Sequence, residues 1–195
     1  MYSQDLDIGF NLDISALKEV QASYNSLDQM MIFKMPTVDK NLSKFLSTVG
    51  IYVTHGEIFY TPPHGKLPIH VDLHEFSNNC KLNFIFGAEG SKMIWWDKKP
   101  NVDLKFVYTP IGTKYIMLDE EDCLPIHSAE IKQPSLVNVG ILHSIANTTD
   151  EGRWCMSYTL RHIKYRNQTT NLKDLQWEEA CILFGEYFKK EIIND

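Results

Sequence analysis

The chain has 195 residues, 44% hydrophobic and 12% aromatic, enough to fill a buried core and too apolar for a disordered polymer. Its formal net charge is -6, from 19 basic and 25 acidic residues, with no basic stripe, which disfavours a nucleic-acid partner. No stretch approaches the roughly 20 apolar residues of a membrane-spanning helix, MYSQDLDIGF carries no apolar signal core, and the four cysteines form no CxxC pair, so a cytoplasmic protein with reduced thiols and no membrane partner is expected.

Two short helices are expected first. Asp13 or Ser15 can cap one that carries Ile14, Leu17 and Val20. Asp39 can cap the next, where Leu42, Phe45, Leu46 and Val49 recur at helical spacing before Gly50 stops it. From Ile51 to about Lys164 the pattern changes to short runs of Val, Ile, Phe, Tyr and Trp between Gly, Pro, Asn and Asp. Strands are predicted at 51–60, 67–74, 80–86, 91–96, 104–108, 113–118, 135–139, 141–147 and 153–163. So many short strands with no long helix between them predict a mainly β antiparallel sandwich or barrel. A helix over 171–192 closes the chain, with Asn171 as cap and Leu172, Leu175, Ala180, Leu183, Phe184, Tyr187 and Phe188 as one apolar stripe. A single domain is expected, with a helical segment at 1–50, a β-core at 51–164 and the final helix.

Two places in the β-region concentrate chemistry. The first is HVDLH, 70–74. On a strand His70, Asp72 and His74 would share one face and Ile69, Val71 and Leu73 the other. A polar set of this kind is costly to bury without a partner such as a metal. Two His and one carboxylate with open positions suit non-haem Fe(II). With 7 His and 13 Asp in the chain, His-x-Asp arises easily by chance, and His55-Gly56-Glu57 is a rival pair. The third ligand is either His74 or a residue from elsewhere. The second place is LVNVGILHSIANTTDEGRWCMSYTLR, 136–161, where His143 lies in a β-like run and Arg153 opens the next strand. Arg153, Cys155, Ser157, Thr159 and Arg161 share a polar face there, and Trp154, Met156, Tyr158 and Leu160 an apolar one. An Arg inside a small barrel needs an anion, either an internal Asp or Glu or a ligand.

In this order, HVD at 70–72, a distal His143, Arg153 ten residues later and a helix-flanked β-core resemble the 2-oxoglutarate/Fe(II)-dependent oxygenase family over roughly 51–163. NNCKLNFIFGAEGSKMIWW, 78–96, and LVNVGILHSIAN, 136–147, resemble its aspartyl/asparaginyl-hydroxylase-like and prolyl-hydroxylase-like branches. The chain is also similar to small oxygenases of marine cyanophages, which would place it in the host cytoplasm.

The resemblance implies a double-stranded β-helix, the jelly roll of cupin-like proteins. It makes His70, Asp72 and His143 the Fe(II) ligands, and gives the distal carboxylate of 2-oxoglutarate to Arg153, whose fork suits a carboxylate better than Lys would. Asn83 and Tyr60 would add polar cosubstrate contacts. Oxygen and 2-oxoglutarate would be consumed, succinate and CO2 released, and an amino-acid residue or small metabolite hydroxylated. His55/Glu57 lacks this downstream context, and His127 is followed ten residues on by Val137.

There are departures from the family. Cys155 stands where a small hydroxyl residue is common, His74 is an extra imidazole, and a carboxylate ligand is itself unusual for the aspartyl-hydroxylase branch. Phe59, Tyr60, Trp95 and Trp96 are candidates for a substrate cleft, though neighbouring Trp95 and Trp96 would face opposite ways. The alternative function is a non-catalytic metal- or ligand-binding jelly-roll module. The sequence leaves the oligomeric state open.

Overall fold

The structure, a computed structural model, describes residues 1–10, 12, 17, 32–34, 38–108, 112, 114–131, 134–166 and 173–189. The strands are β1 (Ser3–Asp5), β2 (Ile32–Lys34), β3 (Ile51–Thr61), β4 (Lys66–Val71), β5 (Cys80–Phe86) and β6 (Lys92–Lys98). They continue with β7 (Phe106–Tyr108), β8 (Lys114–Leu118), β9 (Cys123–Glu130), β10 (Ser135–Asn138), β11 (His143–Ala146) and β12 (Arg153–His162). Among the described residues the α-helices with stated bounds are α1 (Lys40–Thr48) and α2 (Trp177–Phe184).

The strands form two six-stranded sheets, ordered β1-β10-β5-β12-β3-β2 and β7-β8-β4-β11-β6-β9. Antiparallel partners are β3 with β12, β4 with β11, β5 with β10 and β6 with β9. These four pairs form one long ribbon whose successive segments fall on alternate sheets, so the fold is a double-stranded β-helix.

Period-two alternation sorts side chains between two sides of the first sheet. On β12, Trp154, Met156, Tyr158 and Leu160 enter a core shared with Leu42 and Leu46 of α1 and Trp177, Ala180 and Phe184 of α2. On β5, Leu82 and Phe84 join that core, while Lys81 and Asn83 face the space between the sheets, where Ile85 packs with Met93, Trp95 and Ile145. Asp39 starts α1, its Oδ1 accepting the Asn41 and Leu42 N–H groups at 2.8 and 2.9 Å. Among the described residues no helix is long and apolar enough to cross a membrane.

Several expectations are corrected. The strand predicted at 67–74 ends at Val71, and Asp72 lies on a bend, because the chain there leaves one sheet for the other. β9 was not predicted. Pro125 interrupts its strand pattern, and β9 tolerates the ring because it is an edge strand with a register shift where Pro125 meets Trp96. The last helix begins only at Trp177; before it, Leu175 donates its N–H to the Leu160 carbonyl and Gln176 bridges Asn79 in extended backbone. The helix expected near Asp13–Val20 and the cap Asn171 lie outside the described residues, apart from buried Leu17.

Candidate metal centre

β4 and β11 are neighbours, and their register places His143 directly across from His70. The two rings lie 4.3 Å apart between centroids. Each imidazole is anchored by the carbonyl two residues before it: His70 Nδ1 lies 2.8 Å from Pro68 O, and His143 Nδ1 2.9 Å from Ile141 O. A carbonyl only accepts, so Nδ1 carries the proton and Nε2 presents its lone pair. Both Nε2 atoms point at Asp72, with Oδ1 3.3 Å from His70 and 3.5 Å from His143. The ligand atoms of His70, Asp72 and His143 all lie within 4.8 Å of one another. Two imidazole nitrogens held in one tautomer and one carboxylate oxygen are a donor set that fits a divalent transition metal such as Fe(II).

Electrostatics keeps these groups ready to bind a cation. Burial by itself would raise the Asp72 carboxyl, but the Lys81 ammonium beside it, then His143 and His70, hold it well below the usual carboxylate range. His143 is lowered from its ordinary value, first by burial and then by the His70 imidazole beside it, against the pull of Asp72. It therefore favours the neutral form that binds metal.

The three residues open into a chamber of about 60 Å³ between the sheets, also lined by Lys81, Asn83, Arg153, Cys155 and Ser157. Arg153 is 3% exposed, and among the described residues no Asp or Glu lies within ion-pair distance of it. Burial lowers its pKa, and the polar neighbour that offsets this is the Cys155 thiol. The internal acid that could have neutralised Arg153 is thus absent from the described residues, and a buried guanidinium without an anion is costly. Asn83 faces Arg153's chamber from β5, and the Ser157 hydroxyl lies 2.7 Å from its Oδ1, donating and leaving the amide Nδ2 as a donor.

Tyr60 does not join them. On β3 its neighbours Phe59 and Thr61 face the chamber, so alternation turns Tyr60 to the helix side, where its ring packs 4.5 Å from Trp154. Its expected cosubstrate contact is corrected on that ground. His74 is exposed on the bend after Asp72, outside the donor set. Exposed His127 packs on Tyr2 and Trp95. Trp95 donates to the Asn138 carbonyl at 2.8 Å and Trp96 to the Ser144 hydroxyl at 2.9 Å, so both are packing residues.

Sequence reading missed Lys81 and Thr61, and did not give Ser157 a site role. Ser157 and Lys81 had a signal, since each shares a strand face with a residue already singled out, Arg153 and Asn83 respectively. Thr61 had none until β3 was paired with β12, which sets it across from Arg153.

No protein-family model matches the chain, and no curated protein matches it. Solved structures are similar at low identity. One is a conserved protein with a double-stranded β-helix domain from Klebsiella pneumoniae, at 9% identity over 53% of this chain and 64% of that one, TM-score 0.28. Another is SnoK, a non-haem alpha-ketoglutarate-dependent carbocyclase from nogalamycin biosynthesis, at 12% identity over 76% and 74%, TM-score 0.38. A third is the viral collagen prolyl hydroxylase of Paramecium bursaria Chlorella virus-1 in its 2-oxoglutarate complex, at 9% identity over 83% and 96%, TM-score 0.37. The chain spans less than two thirds of the first of these, 64%.

Proposed function

We propose that this protein is a 2-oxoglutarate- and Fe(II)-dependent oxygenase that hydroxylates an amino-acid residue or small metabolite and releases succinate and CO2. One observation carries the reading: a single chamber combines a His70–Asp72–His143 donor set with a buried Arg153 that has no carboxylate partner among the described residues. Fe(II) in that set would supply the activation of oxygen and the oxidative decarboxylation of the keto acid.

The chain's own residues do the rest. His70 and His143 offer Nε2 because Nδ1 is committed to Pro68 and Ile141. Arg153 takes the far carboxylate of 2-oxoglutarate through a charge-assisted pair inside the chamber. Asn83 Nδ2, freed as a donor because Ser157 occupies Oδ1, and the Thr61 hydroxyl are polar groups left to orient the dicarboxylate where Cys155 offers only a thiol. Phe59, Leu67, Met93 and Ile145 line the remaining wall and exclude water.

The test is calorimetric titration of 2-oxoglutarate into anaerobic protein loaded with Fe(II), or with Mn(II) as a redox-silent substitute. One metal-dependent site per chain is expected. Arg153→Met should keep the metal and weaken 2-oxoglutarate binding on the order of 10²-fold, the scale of losing one partner of a buried charge pair. Uncoupled succinate formation with Fe(II) and oxygen is the accompanying assay.

A second reading, a jelly-roll module that binds a ligand without oxidising it, is favoured by one contact: the Lys81 ammonium pairs Asp72 Oδ2 at 2.7 Å and so competes with a cation for that carboxylate. Wild-type 2-oxoglutarate affinity in Arg153→Met, or no metal-dependent binding, would move the assignment to that module.

A further inference from the structure

His55-x-Glu57, the rival metal pair of the sequence, lies beside the centre and outside its donor set. β12 lies between β3 and β5, with Glu57 across from Ser157 and Lys81 across from Thr159. The Lys81 side chain, 15% exposed, ends 3.3 Å from Glu57 Oε2 and 2.7 Å from Asp72 Oδ2. The other Glu57 oxygen lies 3.3 Å from His55 Nε2. Lys81 and Asp72 together line both the Arg153 chamber and a second cavity of about 130 Å³, whose walls include His55, Glu57, Thr159 and Asp174.

This arrangement answers a mechanical need. Asp72 sits past the end of β4, where its N–H donates to the Val139 carbonyl at 3.4 Å. A carboxylate on a bend can rotate and offer a metal either one oxygen or two, and a second oxygen would take a position that reactants need. An ammonium on Oδ2 fixes the rotation and leaves Oδ1 facing both imidazoles. Alone, that ammonium would also repel a dication. Glu57 cancels its charge at short range, so the orienting hydrogen bond survives with little net repulsion.

We propose that Glu57 and Lys81 form a charge-compensated clamp that holds Asp72 as a one-oxygen metal ligand. Both are positioning residues, acting through Asp72, and the inference rests on the metal-centre reading above.

The test is titration of metal-free, full-length protein with Co(II) alone, read by affinity and by the visible d–d spectrum. Lys81→Met and Glu57→Gln should each weaken Co(II) binding by about 10- to 100-fold, the usual cost of losing a group that orients a ligand. Lys81→Arg should restore most of the affinity. Lys81→Met should also change the d–d bands, and should add no further loss in an Asp72→Asn background, since both changes act on one contact. If Lys81→Met does not fold, Glu57→Gln and the Glu57→Gln/Lys81→Met pair, which leaves Asp72 as the only charge of the three, carry the same test. Wild-type affinity and spectrum in these variants, or tighter Co(II) binding in Lys81→Met, would overturn the clamp and leave the oxygenase reading standing. A wild-type protein that binds no Co(II) would overturn both.

Discussion

One oxygen of Asp72 faces two imidazoles and the other an ammonium, so its proton is coupled to folding. Its folded pKa lies well below the usual 3.8, with burial opposing the shift and Lys81, His143 and His70 outweighing it. Between those two values the unfolded chain holds a proton that the folded chain does not. The carboxylate's stabilisation is therefore present above about pH 4 and lost as pH falls toward the folded value. His143 is also lowered, from 6.5, by burial and then by His70. Its share is present above 6.5 and lost on acidification below it. Melting temperatures of the metal-free protein should fall in two windows between pH 7 and 3, and Asp72→Asn should flatten the lower one. An unchanged acid limb in that variant would disconnect Asp72 from stability. Tyr60 and Asn83 make a second contrast at this scale. Tyr60→Phe should leave 2-oxoglutarate affinity unchanged, because the ring packs on Trp154 outside the chamber. Asn83→Ala should lower it about 10-fold, the worth of one hydrogen bond; calorimetry on both variants decides.

The elements that carry these residues differ in how openly the sequence announces them. β12 is plain, because its polar and apolar faces alternate without interruption over 153–160 and both faces are used, one in the chamber and one in the helix-side core. α1 is equally plain from Asp39, its apolar spacing and Gly50. β9 is hidden by Pro125, and the bend at Asp72 by an alternation that runs on past the last strand residue. The turn from β10 to β11 has its own constraint. Gly140 donates its N–H to Asn79 O at 3.1 Å and accepts from Ser77 at 2.8 Å, and a Cβ there would overlap the Ser77 carbonyl and hydroxyl. Gly140→Ala should cost about 1–3 kcal/mol in urea unfolding, as overpacking does. It should also weaken Mn(II) binding, since His143 lies three residues downstream.

At the scale of the molecule, the centre is assembled from both sheets: His70 and His143 come from one, and Arg153, Asn83 and Lys81 from the other. Ligands that bridge the sheets should stabilise the whole. Mn(II) with 2-oxoglutarate at about 100 times its dissociation constant should add about 2.7 kcal/mol, raising the melting temperature by roughly 5–10 °C in a domain of this size. Scanning fluorimetry with and without each ligand checks this, and no shift would mean the chamber takes neither. The sequence by itself determined the alternating strands, the capped helix and the two stretches, 70–74 and 136–161, that concentrate chemistry, because composition and period are local properties. Only the tertiary structure decided that His143 stands across from His70, that Arg153 lacks an acidic partner among the described residues, that Tyr60 faces away, and that Lys81 bridges Glu57 and Asp72. Those outcomes depend on strand order and register, set by pairings between segments far apart in the chain, which no local pattern encodes.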